Sequence, residues 1–261
     1  MIIFMQTGSS SFDEKVQRLS GSQLGGAVDC VSEEDILYAR RKRRTADCRR
    51  TLAGRAALRL VASHHQGRAM SSASELPIRR SCGRCGENHG KPMVEGTSLS
   101  SATSADRVIA AAGTIQQHIG VDLEAIPRVL PPGFDAYTLH DREYAELGAG
   151  PHVVGRDVKR HPQRCTADTE ARVGHWALKE SVLKASGRGL EHPPHQLLLG
   201  RPEAFTTWHG CGSSGILAWR PVLESADPAV RGFCCALPGH VGFAAALAAR
   251  VPEDIAEWGC R

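Results

Sequence analysis

Apolar positions recur along this chain with two periods, and each change of period marks an element. From Ser32 to about Ser63 the spacing is helical, with room for one break: Cys48, Leu52, Ala56 and Leu60 fall every four residues and predict a buried stripe. Ser32 ahead of Glu33, Glu34 and Asp35 is a helix-start signal, a capping hydroxyl followed by acidic first-turn residues. Arg49, Arg50, Arg55 and Arg59 lie off the stripe, so the helix is expected to carry a core face and a cationic face. At residues 119–124 the period becomes two. Val121 and Leu123 share one face of a predicted strand, and Asp122 and Glu124 share the other. Residues 108–112 read as a buried strand or short helix, and residues 139–147 as a short amphipathic helix. Residues 170–186 give the strongest helix pattern in the chain, stopped by Gly187 and Gly189. Beyond it, short apolar runs between turns (GILAW, GFCCAL, VGFAAAL) predict a sheet. Residues 71–92 and 148–168, punctuated by Gly and Pro, read as loops, and residues 1–30 are expected to be loosely ordered. The fold class is α+β.

Composition adds limits. A chain of 261 residues can form one large domain or two smaller ones. A net charge of +4 is too mild to argue for nucleic acid, and the basic run at residues 40–44 lacks the interleaved aromatics that stack on bases. The run suits a solvated helix face, a polyphosphate ligand or an acidic protein partner. No apolar stretch reaches the ~18 residues of a membrane span, and the MIIFM start has no basic segment before it, so neither a spanning helix nor a signal peptide is expected. Nine cysteines, an odd number, fit a reducing cytoplasm better than a disulfide framework.

The candidate chemistry sits on the strand and the strong helix. Trp176, Glu180 and Lys184 are spaced i, i+4, i+8 and share one helix side. Alone they would be an exposed Glu–Lys pair beside a core tryptophan. Asp122 and Glu124 on one strand face can converge on a cation. With Glu180 they make a three-carboxylate set suited to Mg²⁺, completed by water and a pyrophosphate. Mn²⁺ accepts the same oxygen ligands. Cys82, Cys85 and His89 could begin a zinc site, but no second ligand pair with suitable spacing follows. Trp208 and Trp219 read as core or groove residues.

Residues 119–124, IGVDLE, followed by WALKESVLKASGRGL from Trp176, resemble the paired signature of the Sfp-type 4′-phosphopantetheinyl transferases. Three weaker matches keep the family's order: RRTLAGRAALR from Arg49, CGRCGENHGKP from Cys82 and LHDREYAEL from Leu139, with an echo near residues 238–245. The resemblance implies two similar α/β lobes related by pseudo-two-fold symmetry, at residues 31–118 and 119–261, after an N-terminal extension. It implies transfer of the phosphopantetheine arm of coenzyme A to a serine of an apo carrier protein, with release of 3′,5′-ADP. The carriers would belong to polyketide, nonribosomal-peptide or fatty-acid synthases, and the enzyme would be a monomer. Carried over by residue, Asp122, Glu124 and Glu180 would hold Mg²⁺ against the CoA pyrophosphate, with Lys184 near the same phosphates. Glu180 or a metal-bound water would take the serine proton. Lys91 would bind a CoA phosphate, and Arg50 and Thr51 would lie at the nucleotide. Ser100 and Ser101 fall in the CoA-contacting segment, where the family usually has a histidine; here Ser101 or Thr103 takes its place. Glu143 matches an acidic position of the middle helix, and Asp35 and Tyr38 stand where basic residues are frequent. The missing imidazole motivates an alternative, a homologue that binds CoA or a carrier without turnover.

Overall fold

The structure, a computed structural model, describes residues 1–8, 11–14, 26–82, 85–147, 162–210, 213–238 and 241–258. In chain order the strands are β1 (Ile2–Gly8), β2 (Arg79–Ser81), β3 (Asn88–Val94), β4 (Thr97–Ser104), β5 (Arg107–Thr114) and β6 (Gly120–Ala125). They continue with β7 (Leu198–Leu199), β8 (Ala204–His209), β9 (Ser214–Glu224), β10 (Phe233–Ala236), β11 (Phe243–Ala249) and β12 (Ile255–Glu257). The helices are α1 (Glu33–Arg40), α2 (Thr45–His65), α3 (Phe134–Thr138), α4 (Asp141–Glu146) and α5 (Pro162–Ser186). The architecture is mixed α and β on a large sheet.

Along that sheet the order is β2-β3-β4-β5-β1-β12-β8-β9-β10-β11-β6, with β7 paired to β9. One run, β3-β4-β5-β1, carries α2 on one face: Ala56, Leu60 and Val61 pack with Leu99, Val108, Ala110 and Met5. The other, β9-β10-β11-β6, carries α5, where Ala177, Val182 and Leu183 pack with Cys234, Ala246 and Ala248. The faces turned away from the helices meet in a third cluster containing Phe4, Ile109, Val121, Leu123, Trp219, Leu247 and Ile255. Trp219 is therefore core; Trp208 is partly buried against the same cluster.

β6 has a second joint. Its inner edge pairs with β11, and its outer N–H groups are met by side chains of β4. Ser98 Oγ accepts Ile119 N–H at 2.8 Å, Ser100 Oγ accepts Val121 N–H at 2.9 Å and Ser104 Oγ accepts Ala125 N–H at 3.0 Å. The constant 21-residue offset means that β4 and β6 run in the same direction here.

Several expectations change. Residues 2–8 fall in the segment expected to be loosely ordered, yet they form β1, paired with β5 and β12. Ile2 and Phe4 face the central cluster while Met5 faces α2, so a strand covered on both sides reads as an unbroken apolar run rather than an alternating one. The 71–92 stretch, expected as loop, contains β2 and β3; Gly90 and Pro92 lie inside β3 and disguised it. The 148–168 loop is helical from Pro162 onward, because proline is well suited to the first helical position; residues 148–161 lie outside the described residues. The basic run at residues 40–44 is exposed and spans the break between α1 and α2.

The cationic face of α2 is also revised. Arg55 and Arg59 are buried, and both pair with Asp35, with Arg59 Nε at 2.6 Å from Asp35 Oδ2. Burial opposes ionisation of Asp35, but the two guanidinium groups outweigh it and hold the carboxyl below its ordinary range. Arg59 also donates to the carbonyls of Ala73, Ser74 and Leu76, stitching α2 to the following turn.

Candidate functional site

Gly120 lets β6 and α5 come together. A methyl group there would sit 1.9 Å from Ser181 O and 2.4 Å from Ala185 N, so only glycine permits this approach. The contact sets the last turns of α5 beside the strand face that carries Asp122 and Glu124. Val121 and Leu123 point the other way into the central cluster, as the period-two pattern predicts.

Three carboxylates and one ammonium share this junction. Lys184 Nζ, on a side chain 31% exposed, pairs with Asp122 Oδ1 on a side chain 2% exposed. Glu124 Oε1 accepts Trp176 Nε1–H at 3.1 Å, and its Oε2 accepts Ser104 Oγ–H at 3.4 Å. Trp176 is itself flanked by Phe134 and Tyr137, with ring centroids 6.0 and 5.8 Å away. Burial pushes Glu180 up to about 7; Lys184 opposes this, and the charges of Asp122 and Glu124 add to it. Burial also raises Glu124, with Asp122 adding, against the Trp176 and Ser104 hydrogen bonds and the Lys184 charge.

Among the described residues, two oxygens here have no hydrogen-bond partner: Asp122 Oδ2 and Glu180 Oε1, both buried. Orphaned buried carboxylate oxygens, beside a Glu180 whose proton affinity the neighbouring carboxylates raise, are what a hard divalent cation would relieve, so the donor set fits Mg²⁺. Among the described residues, no group of three or more His, Cys, Asp or Glu side chains is drawn together closely enough to hold a metal by itself. The remaining ligands would then be water and substrate oxygens, as Mg²⁺ usually requires.

Beside the junction opens a cleft of about 1020 Å³, lined by Arg80, Lys91, Met93, Ser100, Ser101 and Lys184 among others. A smaller cleft of about 230 Å³ adjoins it, lined by Tyr38, Lys42, Arg50, Thr51, Arg55 and Thr103 among others. Arg80 and Ser101 border both. The structure thus brings the predicted residues to three places: the carboxylates and Lys184 at the β6–α5 junction, Ser101 on the wall common to both clefts, and Arg50 and Thr51 in the side cleft. Arg50 is partly engaged, donating to Asp47 Oδ1 at 2.6 Å and Ala105 O at 3.1 Å. Two of the predicted contact residues have protein partners of their own. Ser100 lines the main cleft, but its hydroxyl oxygen accepts Val121 N–H. The Lys91 amine donates to three backbone carbonyls.

Residues 118–212 match the family model described as the 4′-phosphopantetheinyl transferase superfamily. Over these residues the chain is similar to that superfamily. It holds β6, α5 and all three candidate metal carboxylates. No curated protein matches the chain.

Within the transferase segment, Glu143 is a structural partner. It pairs with Lys179, a fully buried side chain, at 2.5 Å and accepts Leu199 N–H at 3.1 Å. Lys179 Nζ also donates to Thr138 O at 2.7 Å and Pro194 O at 3.1 Å. Burial lowers Lys179, while Glu143 opposes that shift. The Cys82–Cys85–His89 idea lies partly outside the described residues, which include neither residues 83–84 nor the His89 side chain. Cys30, Cys48, Cys234 and Cys235 carry free thiols. Among the described residues, no helix is long and apolar enough to cross a membrane.

Three features escaped the sequence reading. The β4 hydroxyl ladder is signalled only by serines at 98, 100 and 104, all one parity. Gly120 carries no local sign of helix contact. Arg80, in a stretch read as loop, lies in β2 and borders both clefts. Burial lowers it to about 10, with the Arg55 charge adding.

Proposed function

We propose that the protein is a Sfp-type 4′-phosphopantetheinyl transferase, moving the phosphopantetheine arm of coenzyme A to a serine of an apo carrier protein and releasing 3′,5′-ADP. The single observation that carries this reading is the buried Asp122–Glu124–Glu180 junction, with two orphaned oxygens, at the side of the cleft that Lys184 borders. The two strand runs of identical order, each with one long helix, support a two-lobed fold with pseudo-two-fold symmetry, divided near residue 119.

In this reading Asp122, Glu124 and Glu180 hold Mg²⁺ or Mn²⁺, which would neutralise charge on the pyrophosphate of CoA. Lys184 adds positive charge on the cleft side. Arg50, Thr51 and Arg80 receive the adenine-nucleotide phosphate, and Ser101 offers a hydroxyl to it. The carrier serine forms the new P–O bond at the β-phosphorus while the bond to 3′,5′-ADP breaks. Among the chain's own residues, Glu180 is the nearest candidate to take the serine's proton. The chain acts as a cytoplasmic monomer serving polyketide, nonribosomal-peptide or fatty-acid synthases.

Incubation of the purified chain with CoA, Mg²⁺ and apo carrier proteins should add the phosphopantetheine mass to a carrier. Absence of any gain across several carriers overturns the reading. The second reading, a homologue that binds CoA or a carrier without turnover, is favoured by a hydroxyl, Ser101 or Thr103, where an imidazole is expected. Calorimetric CoA binding without transfer would support it.

A further inference from the structure

Lys91 borders the main cleft, where a phosphate contact is the obvious role for a cation. Its amine is spent elsewhere. Nζ lies 2.8 Å from Ile119 O, 2.7 Å from Lys184 O and 2.8 Å from Ala185 O. An ammonium has three N–H donors, so three carbonyls satisfy it completely. The acceptors come from two elements. Ile119 immediately precedes β6, and Lys184 and Ala185 are in the last turn of α5, where a cation is favoured; Lys184 O also accepts Gly187 N–H at 3.2 Å.

Lys184 is the residue whose side chain pairs with Asp122. Its backbone is thus held by Lys91 while its ammonium rests on the candidate metal carboxylate. The chain turns sharply just beyond, at Gly187 with φ 78°, where an added methyl would come 3.6 Å from Lys91 Cδ. The helix end, the turn and the Lys91 stem are therefore in register. Gly120 permits the helix to approach the strand, but glycine contributes no attraction; Lys91 supplies a bond across the same approach.

We infer that Lys91 is a positioning residue, whose ammonium latches the last turn of α5 to the start of β6 and so keeps Lys184 on Asp122, and that it is not a ligand of the substrate phosphates. This rests on the transferase reading for its effect on turnover, although the latch is a property of the free protein. A phosphate could engage Lys91 only by displacing carbonyls that its ammonium now satisfies, at the cost of those hydrogen bonds.

The test compares wild type with Lys91→Met and Lys91→Arg. Amide hydrogen exchange on the free proteins should quicken over residues 183–187 and 119–122 in both variants, since neither methionine nor the larger guanidinium reproduces the three-carbonyl seat. Affinity for CoA, read by calorimetry, should stay within about threefold of wild type. Turnover with a carrier should fall by about tenfold to a hundredfold at little changed KM, the pattern of a displaced group rather than a lost ligand. Unchanged exchange in the variants overturns the latch. So does a CoA affinity that drops by about tenfold in Lys91→Met and returns in Lys91→Arg, because arginine can replace lysine at a phosphate. If Lys91→Met does not fold, Lys91→Arg carries the same measurements. Failure of the wild type to bind CoA would instead overturn the functional reading, and the exchange result would still decide the latch.

Discussion

At the scale of the residue, the site is governed by charge held out of water. Glu180 has a folded pKa of about 7, above its ordinary 4.5, chiefly from burial. The stability it contributes is fully present below pH 4.5 and is lost as pH rises through about 7. The metal-free protein should therefore melt lower at pH 8 than at pH 6. Glu180→Gln should flatten that dependence and stabilise the metal-free fold at pH 8 by on the order of 1–3 kcal/mol, read from thermal unfolding at the two pH values. The same variant should abolish transfer. Asp122→Ala removes a charge that raises both Glu124 and Glu180, so the fold should survive by circular dichroism while carrier loading falls below detection. Normal loading by this variant would end the metal assignment. Much of this centre was legible in the sequence, because alternation alone puts Asp122 and Glu124 on one face and helical spacing aligns Glu180 with Lys184. The partners of Lys91 were not legible: carbonyls have no letter in the sequence, and contacts to Lys184 and Ala185 span more than 90 positions.

At the scale of the element, α5 and β6 are fixed to each other by an absence of side chain and to β4 by hydroxyls. Gly120→Ala must push the helix backbone away, since its methyl would overlap Ser181 O. A loss of about 2–4 kcal/mol is expected from denaturant unfolding, with transfer reduced further than stability alone explains. Ser100→Ala leaves the buried Val121 N–H without an acceptor and should cost about 1–3 kcal/mol, whereas Ser100→Thr, which keeps the hydroxyl, should cost less. Helices with strong periodicity, such as α2 and the later part of α5, could be read directly. β1 and β3 could not. Burial on both faces erased the alternation of the first, and Gly90 and Pro92 imitated a loop in the second.

At the scale of the whole molecule, the two strand runs are joined at β1–β12–β8 as well as at β4–β6. β12 pairs in parallel with β1 on one side and β8 on the other, and Trp258 N–H donates to Phe4 O at 2.7 Å while its ring stacks on His64. Ile255 is fully buried in the central cluster between them. Ile255→Ala should cost about 2–5 kcal/mol by chemical denaturation and lower both runs' stability together, since the cavity opens in their common core. Fold class could be anticipated from the order of elements. This joint could not, because parallel pairing between residues about 250 positions apart leaves no periodic trace.

The serine ladder gives the β4–β6 joint a property that backbone pairing lacks. A conventional pair of strands is held by peptide groups that every sequence supplies, so substitution can weaken it only indirectly. Here each bond depends on one hydroxyl, and position 102, where alanine stands, already lacks a rung. The grip at this joint is thus written letter by letter, and three single-atom deletions at 98, 100 and 104 would loosen it while leaving every backbone ladder in the sheet untouched.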